Sequence, residues 1–93
     1  MSRIEAYSRP RMARGVRLFW DEVRQQHLLL FPEGMLVLNP TAWRILQLCN
    51  GQQTVGEIVS SFTTVQPNYK VEQDIYHLLG RIARRGLLEA GNE

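Results

Sequence analysis

Cysteine is almost absent from this sequence of 93 residues: Cys49 is the only one, so no disulfide can form within the chain. Histidine is nearly as scarce, since only His27 and His77 occur and neither lies near other ligands at metal-binding spacing. The longest apolar run, Leu28 to Phe31, is far shorter than the roughly 20 residues that a membrane helix requires. These absences exclude a disulfide scaffold and a Cys/His metal site, and they predict a cytoplasmic protein.

Catalytic motifs are missing as well. Ser60 and Ser61 lie outside any G-x-S-x-G elbow, and the seven glycines fall at turns and helix ends instead of forming a phosphate-binding loop. Cys49 ends an apolar stripe, where a thiol is more often a small buried side chain than a nucleophile. We therefore predict a protein with no catalytic residue, no metal and no cofactor.

Composition indicates one globular domain, with 44% hydrophobic and 22% charged residues. The net charge is only +2, although arginines cluster between residues 3 and 17 and again between residues 81 and 85. Such clusters are more often solvated faces than binding surfaces. Residues 1–13 show no periodicity, so we predict a flexible N-terminal arm there and a folded domain over residues 14–90.

Three strand-like segments come first: Val16 to Trp20, Val23 to Phe31, and Met35 to Leu38. Asp21-Glu22 and Glu33-Gly34 supply the turns between them, which predicts an antiparallel meander. The apolar second half of the middle segment is typical of a central strand covered on both faces.

Three helices follow. Asn39 is a good N-cap with Pro40 at the first helical position, and Gly51 ends this first helix. Thr54 and Glu57 form the capping box of the second helix, which should end before Pro67. The third helix begins between residues 68 and 71 and ends at Gly86, after which residues 87–88 fold back onto the core. The predicted fold class is α+β, winged helix-turn-helix-like, with a three-stranded antiparallel sheet followed by three helices.

Two alternative functions arise from this fold. A winged-helix DNA-binding regulator would place the first turns of its third helix in the major groove. Residues 68–74 carry one lysine against two carboxylates there, which is unfavourable next to phosphates. A dimer formed by strand exchange at residues 21–22 and 32–34 is the second alternative, so the chain is either a monomer or such a dimer.

Peptide capture has a better physical basis than DNA binding. If Met35 to Leu38 is an edge strand, its unpaired backbone groups could bind an extended guest chain as a fourth strand. Leu36 and Leu38 would border the resulting cleft, and polar residues along one flank of the third helix, namely Gln73, Asp74, His77 and Arg81, would contact the guest. On the residues alone, a plain core strand capped by a loop is the preferred interpretation of this segment.

Several motifs together resemble the pyrroloquinoline quinone (PQQ) biosynthesis protein D family. They are R-G-V-R-L-F-W-D at 14–21, L-L-F-P-E-G at 29–34, L-N-P-T-A at 38–42, I-L-Q-L-C-N-G at 45–51, T-V-G-E-I at 54–58 and G-L-L at 86–88. Each motif is common alone, but their order within residues 14–88 is specific.

This resemblance implies a non-catalytic peptide chaperone. Such a protein binds the ribosomally made PQQ precursor peptide by strand addition and presents it to a radical S-adenosylmethionine (SAM) enzyme. The guest would lie between the third strand and the third helix, with no nucleic acid or membrane involved. The implied peptide-binding residues are Met35, Leu36, Val37, Leu38, Gln73, Asp74, His77, Leu78 and Arg81.

Overall fold

The computed structural model describes residues 3–63 and 69–92. Its strands are β1 (Arg11–Met12), β2 (Arg17–Asp21), β3 (Gln26–Phe31), β4 (Gly34–Leu38) and β5 (Leu88–Glu89). Its helices are α1 (Pro40–Gln47), α2 (Val55–Thr63) and α3 (Tyr69–Arg84). The order of elements confirms the predicted α+β class, in which an antiparallel sheet of three strands precedes three helices.

The main sheet has the strand order β2-β3-β4, with antiparallel pairing throughout. Its inner face lies on the helices, with Leu29 fully buried between Leu18 and Leu36 on the neighbouring strands. This alternation is what the period-two pattern of the sequence predicts. β3 is the central strand, as expected from its apolar character.

The start of β3 differs from the prediction. The strand begins at Gln26, because residues 22–25 form the turn and Val23 is 94% exposed. The Asp21 carboxylate accepts hydrogen bonds from the backbone N–H groups of Val23 and Arg24, and Gln25 adopts a positive φ of 54°. A carboxylate that accepts hydrogen bonds from the amides two and three residues ahead stabilises a turn more than valine's strand preference opposes it.

The expectation that β3 is covered on both faces is only half correct. Leu28 points to the outer face and is buried, but it lies outside the main core cluster. Its pairing partners there, Phe19 and Val37, are themselves exposed. The outer face therefore keeps an apolar surface, to which Met35 also contributes, although Leu28 itself is buried.

The helix signals act as predicted. The Asn39 side chain accepts a hydrogen bond from the Ala42 N–H at 2.7 Å. In the capping box, the Thr54 N–H donates to Glu57 at 2.8 Å, and the Glu57 N–H donates back to the Thr54 hydroxyl oxygen at 3.1 Å. These bonds satisfy backbone N–H groups that have no partner inside a helix.

The ends of the helices differ in part from the prediction. α1 ends at Gln47, earlier than the predicted stop at Gly51, because the Cys49 N–H bonds to the carbonyl three residues back and tightens the chain. Gly51 nonetheless has the expected left-handed φ of 80°. The predicted stop before Pro67, and residue 68 as a possible start of α3, lie outside the described residues.

All three helices and the returning C-terminal segment share one core. Its buried side chains are Leu29, Leu38, Ala42, Ile45, Leu46, Cys49, Val55, Ile58, Val59, Ile75, Leu79, Ile82, Leu87 and Leu88. Leu87 and Leu88 thus fold back onto the core as predicted. Three aromatic rings connect the sheet to α1. The centre of the His27 ring lies 4.6 Å from the centre of the Trp20 ring and 4.3 Å from that of the Trp43 ring.

The N-terminal segment is the largest departure from the sequence prediction. In place of a loose arm, residues 3–13 pack along the domain, with β1 antiparallel to β5. The N–H groups of Gly51, Val55 and Gly56 donate to carbonyls of this segment, and Ser8 and Pro10 are buried. Backbone bonds to elements distant in sequence hold the segment, and periodicity cannot reveal such bonds.

Candidate functional site

The candidate site starts at β4, which forms one edge of the main sheet. In the two-residue hairpin, Phe31 and Gly34 flank the turn and therefore exchange both backbone hydrogen bonds. Along β3 and β4, pairs that exchange backbone hydrogen bonds alternate from that point with pairs that do not. The Leu36 backbone therefore hydrogen-bonds to Leu29, whereas Met35 and Val37 direct their N–H and C=O groups away from β3. In the described part of the chain, no strand pairs with this outer edge of β4.

A cleft of about 640 Å³ begins where β4 ends. One wall is the start of α1, with Asn39, Thr41, Ala42 and Ile45. The other wall is a flank of α3, with Asp74, Tyr76, His77, Leu78, Arg81 and Arg84. An apolar floor with a polar rim of this kind is typical of a site that buries side chains of a ligand and orients it by hydrogen bonds.

The α3 flank follows from helical spacing. Asp74, His77, Leu78 and Arg81 recur at steps of three and four residues, which places them on one side of the helix. The adjacent side carries Ile75, Leu79 and Ile82 and faces the core. α3 therefore anchors itself with one stripe and presents a separate polar stripe to the cleft.

Two aromatic features border this flank. Burial raises the pKa of Tyr76, and the nearby carboxylates of Glu72 and Glu5 raise it further. Its hydroxyl group stays protonated at neutral pH and can donate a hydrogen bond. At the carboxyl end of α3, the Arg85 guanidinium lies 5.8 Å from the centre of the Phe31 ring, so this end of the helix lies beside the β3–β4 turn.

The structure brings together part of the predicted site. Asp74, His77, Leu78 and Arg81 line the cleft together, whereas Gln73 is exposed on α3 outside its lining. Met35 and Val37 present their backbone at the free edge, with their side chains exposed on the outer face of the sheet. Leu36 is half-buried, and Leu38 is a core residue whose side chain is already packed.

Sequence reasoning missed the α1 wall of the cleft and also missed Arg84. In the sequence, Asn39 indicates only the N-cap of a helix, and Thr41, Ala42 and Ile45 carry no signal of a binding site. Arg84 lies one turn beyond Arg81, so helical spacing from Arg81 was the available signal for it.

The described residues offer few groups that are suited to catalysis. Cys49 is buried, and burial raises the pKa of its thiol to about 12, so no reactive thiolate forms at neutral pH. Among residues 3–63 and 69–92, no group of three His, Cys, Asp or Glu side chains is placed to hold a metal ion. None of the helices in the same residues is long and apolar enough to span a membrane.

The fold and the cleft define the class of protein: a winged-helix-like α+β domain in which a free sheet edge lies beside a polar helix flank. Comparison with known proteins then identifies the particular family. Residues 26–88 match coenzyme PQQ synthesis protein D, and the chain belongs to this family.

Relatives of similar length carry the name PqqA binding protein. The one from Stutzerimonas stutzeri is 34% identical over 90 residues, which is 96% of this chain and 98% of the relative. The one from Methylococcus capsulatus is 35% identical over 71 residues, which is 76% of each chain. A bifunctional coenzyme PQQ synthesis protein C/D of Methylorubrum extorquens is 39% identical over 82 residues, which is 86% of this chain and 22% of that longer protein.

A solved structure supports the fold. The solution NMR structure of the PqqD part of Methylobacterium extorquens PqqCD superposes with a TM-score of 0.70 at 38% identity. The match covers 86% of this chain and 87% of the other. That domain is described as a functional, stand-alone recognition element for ribosomally synthesized and post-translationally modified peptides.

Proposed function

We propose that this protein is a non-catalytic peptide chaperone of PQQ biosynthesis that binds the precursor peptide PqqA as an added β-strand. The observation that carries the proposal is the edge of β4 beside the α3 flank, with which no described strand pairs, in a chain that belongs to the PqqD family. Met35 and Val37 together offer two N–H and two C=O groups to a guest backbone.

The two walls of the cleft would give the guest its side-chain preferences. Guest side chains on the inner face would pack against Leu36 and Leu78, while Asp74, His77 and Arg81 would contact its polar groups. Each apolar guest side chain that becomes fully buried contributes about 1.5–3 kcal/mol before the cost of ordering the peptide.

A radical SAM enzyme of the same pathway is the proposed second partner. The protein would hold the precursor peptide for that enzyme in the cytoplasm, without nucleic acid or membrane, as a monomer or a strand-exchanged dimer. The name PqqA binding protein, which relatives of similar length carry, supports the peptide-holding part of this role.

The DNA-binding alternative gains no support from the structure or the comparisons. Glu72 and Asp74 lie in the first turns of α3, where a recognition helix would approach phosphates. The arginines of α3 lie near its other end.

An amide NMR titration with PqqA tests the proposal. Saturable shifts should concentrate on Met35, Val37 and the α3 residues 74–84, with affinity in the micromolar range or tighter. The outer strand β2 is the internal control, since it lies on the opposite edge of the sheet. Absence of binding, or shifts centred on β2, would contradict strand addition at β4.

A further inference from the structure

The α3 wall of the cleft carries opposite charges at separated positions. Asp74 lies in its first half, and Arg81 and Arg84 lie together in its last turn. All three side chains are exposed, and none forms an ion pair with another described residue. Three unpaired charges along one cleft wall are available to a ligand.

The distance between these charges matches the geometry of an extended chain. A helix rises 1.5 Å per residue, so Asp74 lies about 10 Å from Arg81 and about 15 Å from Arg84 along the axis. A strand advances about 3.3 Å per residue, and residues two or four apart share a face. Two guest side chains four residues apart therefore lie about 13 Å apart on the same side of the strand. This separation falls between the distances of about 10 Å and about 15 Å from Asp74 to the two arginines.

One contact places the carboxyl end of α3 beside the start of β4. Arg85 packs over Phe31, and Phe31 pairs with Gly34 at the start of β4. The arginine end of α3 thus lies near the start of β4, and Asp74 lies toward the other end of the cleft. A guest along β4 would meet positive charge at its Gly34 side and negative charge about 10–15 Å farther along the α3 wall.

We propose that Arg81 and Arg84 select a carboxylate of the guest, and that Asp74 selects a basic or hydrogen-bond-donating side chain four residues away on the same face. This inference rests on the proposed function and deepens it, because it defines the chemistry and the register of the bound segment. The two charged ends also give the guest one preferred direction, since a reversed strand would bring like charges together.

Double-mutant cycles with labelled PqqA test the inference. The protein variants are Arg81→Gln, Arg84→Gln and Asp74→Asn, and each acidic or basic residue of PqqA is neutralised in turn. We expect each protein variant to raise Kd about two- to fivefold at low salt, with a smaller effect at high salt because exposed charges are screened. The arginine variants should couple to one acidic position, and Asp74→Asn should couple to a position four residues away.

Two further variants make the outcome unambiguous. Arg24→Gln lowers the net charge by the same amount as Arg81→Gln or Arg84→Gln, at a turn outside the cleft lining, so it should leave Kd unchanged. Val37→Pro reports on strand addition itself. If Val37→Pro weakens binding while the three charge variants retain the wild-type Kd or couple to no peptide position, the charge inference is overturned and strand addition stands. If wild-type protein does not bind PqqA, the proposed function fails.

Discussion

Replacing Val37 with proline removes a single backbone N–H from the free edge of β4. Because Val37 belongs to a non-bonded pair with Leu28, that N–H takes no part in the ladder to β3. The side chain is 59% exposed, so its loss disturbs little packing. We expect Val37→Pro to fold, with a loss of stability of about 1 kcal/mol and a Tm lower by roughly 4–8 °C.

The effect of Val37→Pro on binding should be much larger than its effect on folding. The variant loses one hydrogen bond to the guest, worth about 1 kcal/mol, and leaves a guest carbonyl without a donor. The proline ring also occupies the space where the guest backbone approaches. A combined penalty of about 2 kcal/mol corresponds to a Kd that is roughly 30-fold higher.

Fluorescence anisotropy with labelled PqqA measures Kd, and circular dichroism checks the fold. Val37→Ala is the matched control, because it shortens the same side chain and keeps the N–H, so its Kd should stay within about threefold of wild type. Leu36→Pro should instead unfold the sheet, since its N–H bonds to β3 and its side chain is half-buried. A folded Val37→Pro protein with wild-type affinity would refute edge pairing.

Two predictions concern the packing of the domain. Gly91 and Gly86 both have positive φ, but a Cβ on Gly91 would overlap the Arg9 carbonyl oxygen, whereas a Cβ on Gly86 meets nothing within 4 Å. Gly91→Ala should therefore lower Tm more than Gly86→Ala and speed hydrogen exchange at the Val55 amide, which donates to the N-terminal segment. Equal Tm values would argue against the docked segment. Cys49, with its thiol pKa raised to about 12 by burial, should resist iodoacetamide at pH 8 until denaturant unfolds the chain; rapid labelling of native protein would contradict its burial.

Local hydrogen bonds and side-chain periodicity made most of the helices and strands predictable from the sequence. A capping box and an N-cap asparagine act within four residues of themselves, and the structure shows their hydrogen bonds as expected. The β2–β3 turn was misplaced because Val23 favours a strand, while the Asp21 carboxylate stabilises the turn through two backbone amides. Where two local signals compete, periodicity alone does not decide the boundary.

The candidate site was predictable on one side only. The α3 flank follows from spacing, so Asp74, His77 and Arg81 were found together. The opposite wall comes from α1, and its contribution depends on how two helices distant in sequence pack. Helical spacing from Arg81 indicates the side of α3 on which Arg84 lies, but the extension of the cleft along the last turn of α3 is a feature of the tertiary structure.

The sequence by itself determined the identities and order of the strands and helices, because side-chain periodicity and capping act over a few residues. Only the tertiary structure decided that residues 3–13 pack on the domain, that the outer sheet face stays open, and that a cleft separates α1 from α3. These features depend on hydrogen bonds and contacts between residues far apart in the chain, and no local pattern encodes such contacts.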